Sequence, residues 1–250
     1  MQSPGMGLAR AATRGLVAAV YPAQCANCGE AVDGDGGLCA PCWRDTQFVS
    51  GHVCDQCGAP LPGESDGHAD RCDECMAIAR PWDRGRTALI YKGNGRRMVL
   101  ALKHADRPDI AVPAAGWMAR AAAPILSEDM VIVPVPAHWT RMFRRRYNQA
   151  AEIARALGRV TGLTVDTRAL MRITGGETQE GKTLDQRFAH VEGAIRPHPK
   201  RGARLAGRSV LIVDDVMTSG ATLAAATEAA REAGAVRVCI VTLARVVRDA

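Results

Sequence analysis

Val210-Leu211-Ile212-Val213 is an unbroken apolar run, followed directly by Asp214-Asp215, then Val216-Met217 and the small-residue stretch Thr218-Ser219-Gly220-Ala221-Thr222. A short run without polar alternation reads as a strand buried on both faces, as in a parallel sheet covered by helices. Carboxylates at the carboxyl end of such a strand stand where open α/β sheets take their ligands. Thr218 to Thr222 turns tightly into a helix, so its backbone N–H groups and hydroxyls converge on a helix N-terminus, an anion site. Any one of these features fits a plain strand-loop-helix connection with two solvated aspartates. The ordered combination is far rarer.

The chain around this stretch alternates in the same way. Arg86 to Lys92 reads as a strand, Gly93-Asn94-Gly95 as a turn, and the next residues as a helix ending near Lys103-His104. A longer helix is expected over Ile110 to Ile125, and a buried strand over Asp129 to Val135, broken by Pro134 and Pro136. Asn148 to Thr161 is a helix ending at Gly162, and Thr164 to Met171 a strand. Thr174 to Arg187, polar and glycine-bearing, reads as a mobile loop. After the acid pair come a helix over Ala221 to Ala233 and a last strand from Val236. This alternation predicts one doubly wound α/β domain over residues 81–250. A length of 250 residues fits one large or two small domains, and 47% hydrophobic residues supply a core.

Nine cysteines are present, and eight form Cys-x-x-Cys pairs: Cys25/Cys28, Cys39/Cys42, Cys54/Cys57 and Cys72/Cys75. One such turn presents two thiolates to a tetrahedral zinc ion, a rhythm that disulfide frameworks do not require. The pairs repeat with a glycine after each first pair, which predicts a double zinc ribbon over residues 21–80. The simplest assignment gives one zinc to the first four cysteines and a second to the last four; the spacing also permits a cross-braced pairing of alternate pairs. His52 and His68 are nearby rival ligands. With all eight thiolates engaged no coordination position is open, so the two Zn2+ are structural. Cys239, alone in an apolar run, reads as an inert core residue. Leu8 to Val20 reads as a short amphipathic helix within a lead-in over residues 1–20. Its apolar stretch lacks a cleavage site, and no run approaches the roughly 20 residues of a membrane span, so a cytoplasmic protein is expected.

The densest positive charge follows the strand at Val133: Arg141, Arg144, Arg145 and Arg146 precede Tyr147-Asn148-Gln149. Emerging at the same sheet edge as Asp214, these guanidinium groups suit a diphosphate; a solvated basic loop or a nucleic-acid patch is the alternative. The net charge of +6 favours anionic partners without choosing among them. Lys103 is a further cation for departing negative charge, and Lys182 a candidate to close over the site.

The stretch from Val210 to Thr222 resembles the phosphoribosyl-diphosphate (PRPP) signature of type I phosphoribosyltransferases. That resemblance implies a Rossmann-like, mainly parallel sheet. It makes Asp214 and Asp215 the acids for the ribose hydroxyls and Val216, Met217, Thr218, Ser219, Gly220, Ala221 and Thr222 the 5-phosphate loop. Mg2+ would accompany PRPP, and Lys103, Arg141, Arg144 and Arg145 would face the diphosphate. Together with the cysteine pairs, Leu102-Lys103-His104, the Val-Pro-Val-Pro segment and Asn148-Gln149, nearly the whole chain resembles the competence protein F (ComF) family. Departures fall at Arg146 in place of glycine, Gly176 in place of threonine and His190 in place of asparagine. The resemblance implies a role in natural competence, DNA uptake or the use of incoming DNA. Three functions fit: a phosphoribosyltransferase acting on PRPP or a related ribose phosphate, a non-catalytic nucleotide sensor, or an adaptor for single-stranded DNA and competence or recombination proteins. Aromatics for base stacking are few, namely Trp43, Phe48, Trp82 and Trp139.

Overall fold

A computed structural model of the chain describes residues 23–32, 37–65, 67–104, 107–137, 148–173 and 193–247. The helix expected over Leu8 to Val20, the basic segment with Arg141, Arg144, Arg145, Arg146 and Trp139, and the loop with Lys182 lie outside the described residues. Strands β1 (Arg84–Ile90), β2 (Val131–Pro134), β3 (Thr164–Val165), β6 (Ser209–Met217) and β7 (Arg237–Arg245) form an all-parallel sheet, in the order β1-β7-β6-β2-β3. β4 (Leu170–Arg172) and β5 (Ile195–Pro197) pair antiparallel beside it. The helices are α1 (Ala40–Arg44), α2 (Asp73–Ala77), α3 (Gly93–His104), α4 (Ala111–Ala122), α5 (Gln149–Thr161) and α6 (Ala221–Glu232). This is the α/β parallel-sheet architecture that the alternation predicts.

Strand periodicity assigns the two faces. Leu211 and Val213 of β6, with Cys239, Val241 and Leu243 of β7, pack against Met98, Leu102, Met118, Ile153 and Leu157 of α3, α4 and α5. Val210, Ile212, Val238 and Ile240 pack on the opposite face against α6, whose inner surface is Ala221, Leu223, Ala224, Ala225, Ala226, Ala229 and Ala230. Each cysteine-rich segment joins one face. Ala26 and Phe48 belong to the first core, whereas Cys54, Cys57, Ala59, Cys75 and Trp82 belong to the second. Between them the chain crosses the edge of the sheet. Val49 N–H donates to the Ala88 carbonyl at 2.9 Å and Ile90 N–H to the Gln47 carbonyl at 3.0 Å, so β1 presents no bare edge there.

Three expectations are corrected. Gly93-Asn94-Gly95 is the first turn of α3, because the buried Asn94 amide donates to the Cys42 carbonyl (3.1 Å) and to Thr46 Oγ1 (3.2 Å). Thr164 to Met171 is two strands in separate sheets. The chain bends at the buried Asp166, whose carboxylate accepts from Arg168 N–H at 2.9 Å and faces Arg201 and Arg204, each at 3.5 Å. The strand expected over Val210 to Val213 runs on to Met217, held by continued pairing with β7. α5 is bounded as its sequence demands: the Asn148 side chain accepts from Ala150 N–H, and Gly162 closes it at φ 76°. Among the described residues no helix is long and apolar enough to cross a membrane.

Candidate functional site

β6 outruns its neighbour. Pairing with β2 ends at Pro134–Val213, while pairing with β7 continues to Met217–Arg245. β2 leads through α5 to β3 on one side, whereas β6 lies on the other. Asp214 and Asp215 therefore emerge at the switch point of the sheet, the crevice where such folds bind ligands. Successive residues of a strand face opposite ways. Asp215, on the α3 side and buried, receives Lys103 Nζ at 3.2 Å from its Oδ1. Asp214 accepts the N–H of Asp215 at 2.9 Å and feels Arg172 of β4. Desolvation, then the charge of Asp215, push the Asp214 carboxyl up to about 7, with Lys103 pulling the other way.

The strand ends in a loop braced from beneath. Met217 is buried, Thr218 exposed, Ser219 buried, and Gly220 sits at φ 82° as N-cap of α6. Ser219 Oγ accepts from Ala221 N–H at a long 3.4 Å. The first-turn N–H groups of α6 otherwise have no partner within the helix, and the positive end of its dipole faces the loop. The loop has no spare volume at its base. A Cβ on Gly220 would lie 2.7 Å from Met217 Cε, 2.9 Å from Arg80 Nη1 and 3.1 Å from Trp82.

The cysteines gather into two clusters, Cys25/Cys28/Cys39/Cys42 and Cys54/Cys57/Cys72/Cys75, each with its sulfurs within 4.8 Å of one another. This is the tandem grouping, not the cross-braced one. Zinc with four thiolates at about 2.3 Å in tetrahedral array sets sulfur–sulfur separations of about 3.8 Å. Cys28 and Cys39 sulfurs are 3.7 Å apart, and those of Cys57 and Cys72 3.6 Å. Burial opposes ionisation of Cys25, but backbone N–H groups of Cys28, Cys39 and Asn27 hold its thiol down at about 6. In the second cluster Cys75 is pushed up to about 11, first by its hydrogen bond with Cys54, with Arg80 acting the other way.

Buried cations fit a dianionic tetrathiolate metal centre at this second cluster. Arg245 is 1% exposed and its Nε and Nη1 have no hydrogen-bond acceptor; the charges of Cys57, Glu74, Cys72 and Cys75 raise its pKa against desolvation. His52 is engaged elsewhere, with Nε2 2.8 Å from Asp70 Oδ2 and Nδ1 3.0 Å from the Pro62 carbonyl, and neither His52 nor His68 joins a cluster.

The structure thus brings Asp214, Asp215, Lys103 and the loop from Thr218 to Thr222 to one edge of the sheet. Val216 and Met217 are paired strand residues, and the Met217 side chain lies in the core under the loop. Trp82 is 1% exposed, with its indole N–H on the Gln56 carbonyl, so it is not a stacking surface for a base; Trp43 is 46% exposed and packs on Phe48. Arg172, Arg80 and Arg245 join these sites without belonging to any of the motifs above. Only the end of an apolar run marks Arg245 in the sequence, and nothing local marks the other two.

Two family models match separate parts of the chain. A family model described as a double zinc ribbon domain matches residues 16–76, and one described as a phosphoribosyl transferase domain matches residues 148–249. The chain is similar to the DNA utilization protein YhgH of Salmonella typhi, at 30% identity over 218 residues, covering 84% of this chain and 90% of that one. It is 28% identical to YhgH of Escherichia coli (strain K12), covering 85% and 92%. It is also 25% identical to Competence protein F of Haemophilus influenzae, covering 84% and 90%. Among solved structures it is similar to a phosphoribosylpyrophosphate synthetase from Mycobacterium smegmatis. The TM-score is 0.32 and the identity 18%, and the match covers 56% of this chain and about a third (34%) of that one. Similarity to a hypoxanthine phosphoribosyltransferase from Staphylococcus aureus has a TM-score of 0.31 at 19% identity, covering 53% and 60%.

Proposed function

Because the chain belongs to the family of the DNA utilization protein YhgH and Competence protein F, we propose that it binds PRPP or a related ribose phosphate at the carboxyl edge of its sheet. The observation that carries this reading is the acid pair at the switch point, next to a helix N-terminus whose N-cap, Gly220, has no side chain to cap it. Asp214 and Asp215 accept hydrogen bonds from the ribose hydroxyls, and the loop from Thr218 to Thr222 surrounds the 5-phosphate. Lys103 neutralises Asp215 in the free protein and lies within reach of diphosphate charge once ligand arrives. Arg141, Arg144 and Arg145 remain candidates for the same charge. Mg2+, when bound with the ligand, supplies Lewis-acid stabilisation of diphosphate.

With an acceptor base present, the site suits phosphoribosyl transfer. The bond from the anomeric carbon to diphosphate breaks, and diphosphate leaves with the electron pair. The acceptor's lone pair makes the new bond as its proton is lost. The protein holds the ribose, keeps water out and stabilises the leaving charge. The names of the relatives speak of DNA utilization and competence, so we infer that this ribose-phosphate chemistry or sensing serves the use of incoming DNA.

Calorimetric titration of the zinc-loaded protein with PRPP and Mg2+ tests the reading. Saturable binding is expected, and it is expected to vanish in the double variant Asp214→Asn/Asp215→Asn. A wild type that takes up no PRPP, or a double variant that binds as tightly, would sink it.

The same titration should depend on pH through Asp214. Its carboxyl, pushed up to about 7, accepts ribose hydroxyls most strongly when ionised, so affinity is expected to fall, by up to about tenfold, from pH 8 to pH 6. Fold stability runs the opposite way. A folded-state pKa above the unfolded value means that the protonated form favours the fold; that contribution is complete below about 4 and is lost as pH rises through about 7. A flat affinity profile between these pH values would show that Asp214 is not a ligand group.

A further inference from the structure

Arg80 connects the second cysteine cluster to the anion loop. Its side chain is fully buried, and its guanidinium donates from Nη1 to the Ser219 carbonyl at 2.6 Å and from Nη2 to Glu74 Oε1 at 2.8 Å. Its guanidinium carbon lies 5.5 Å from the centroid of the Trp82 ring, which fixes its plane from a third side. Glu74 sits inside the knuckle Cys72-Asp73-Glu74-Cys75, and its second oxygen accepts from the buried Arg245 at 3.1 Å. One carboxylate between two metal-binding cysteines therefore holds two buried guanidiniums, and one of these holds the backbone of the loop.

Peptide planarity gives this contact a consequence. The Ser219 carbonyl and the Gly220 N–H belong to one trans peptide unit and point in opposite directions. Tying the carbonyl to Arg80, on the ribbon side, turns the Gly220 N–H away from the ribbon, the orientation a loop that cradles an anion requires. Without the guanidinium the carbonyl is a buried acceptor with no partner, and the peptide is free to rotate. The φ of Gly220, 82°, leaves that rotation sterically open to glycine.

We propose that Arg80 is a positioning residue that orients the anion loop, and that a metal ion held by Cys54, Cys57, Cys72 and Cys75 governs the loop by fixing Glu74 in its place. The metal and anion sites are then coupled, and the coupling is reciprocal. The identity of the anion as a ribose phosphate rests on the proposed function; the latch itself does not.

The test uses the full zinc-loaded chain as wild type, Arg80→Gln, Arg80→Lys and Glu74→Gln, with three measurements. The first needs no ligand. Amide hydrogen exchange over residues 219–226 is expected to quicken about tenfold or more in Arg80→Gln, with α5 unchanged. The second is the PRPP titration with Mg2+, in which Arg80→Gln is expected to weaken binding about tenfold or more, and Arg80→Lys to recover part of it. The third is zinc release to a chromophoric chelator. PRPP is expected to slow one of the two ions in wild type and neither in Glu74→Gln.

Unchanged exchange in Arg80→Gln overturns the latch whatever the titration gives. Faster exchange with undiminished PRPP affinity overturns the positioning role, and an effect of PRPP on neither zinc in wild type overturns the coupling. Faster exchange beside a wild type that binds no PRPP supports the latch and removes the proposed function instead. Should Arg80→Gln fail to fold, Glu74→Gln carries the same exchange comparison, since Glu74 is partly exposed (28%) and its shape is kept.

Discussion

Replacing Cys57 with serine is expected to abolish the cooperative melting transition of the whole protein, not of a ribbon alone. Cys54, Cys57 and Cys75 are buried in the same core as Val210, Ile212 and Ile240 of the sheet and Leu223 of α6. A structural zinc site contributes an apparent 10–16 kcal/mol, about as much as a domain's entire stability of roughly 5–15 kcal/mol. Without it, the thiols left behind stand opposite the buried Arg245, whose carboxylate partner among the described residues is Glu74. Cys28→Ser is the contrast. Cys28 is exposed, and its segment meets the sheet core through Ala26, Leu38 and Phe48. That variant is expected to lose one zinc per chain, keep near-UV circular dichroism and melt cooperatively at a lower temperature. Zinc content by chelator absorbance, read beside the melt, checks both. A Cys57→Ser protein melting within a few degrees of wild type would show that the second ribbon is a detachable appendage.

Gly85→Ala is expected to be the most damaging single methyl group in β1. A Cβ there would collide with the Gln56 carbonyl oxygen and lie 2.8 Å from Ile240 Cγ1, and the oxygen belongs to backbone that cannot swing away. That backbone is anchored: Gly85 N–H donates to the Asp55 carbonyl at 2.9 Å, and the Asp55 carboxylate takes Arg84 Nη2 and Arg86 Nη2, each at 2.7 Å. Overpacking against fixed atoms costs about 3 kcal/mol, or about 6–12 °C in melting temperature for a chain of this size. Gly116→Ala supplies the control. Gly116 lies mid-helix in α4 with open space where its Cβ would be, so alanine should stabilise by about 0.5–1 kcal/mol. Equal melting temperatures for Gly85→Ala and wild type would mean that knuckle and strand are less closely apposed than described.

Legibility followed the range of the interaction that fixes each feature. The caps of α5 and the two cysteine clusters were legible, because Asn148, Gly162 and each Cys-x-x-Cys act on residues close by in the chain. The acid pair was legible for the same reason, since strand, acids and helix start are contiguous. The first turn of α3 was misread because its glycines are ordinary turn formers, and what makes them helical is an Asn94 bond to a carbonyl 52 residues earlier. The bend at Asp166 depends on arginines from Arg201 onwards. Arg80 was invisible as a site residue because its partner, Ser219, is 139 residues away. Trp82 has the composition of a stacking aromatic, but the fold buries it beneath Gly220.

The strand order also sets a timetable for synthesis. The central strand β6 and its neighbour β7 are made after the other strands of the sheet, and nothing bridges β1 to β2 until both have arrived. The sheet therefore has high contact order, and its assembly waits until β6 and β7, Ser209 to Arg245, have been made. The cysteine clusters do not wait, since their sulfurs meet across separations of 11 and 15 residues, in a stretch made before β1. Zinc can thus be loaded first, giving β1 and the anion loop a rigid, already folded template on which to close.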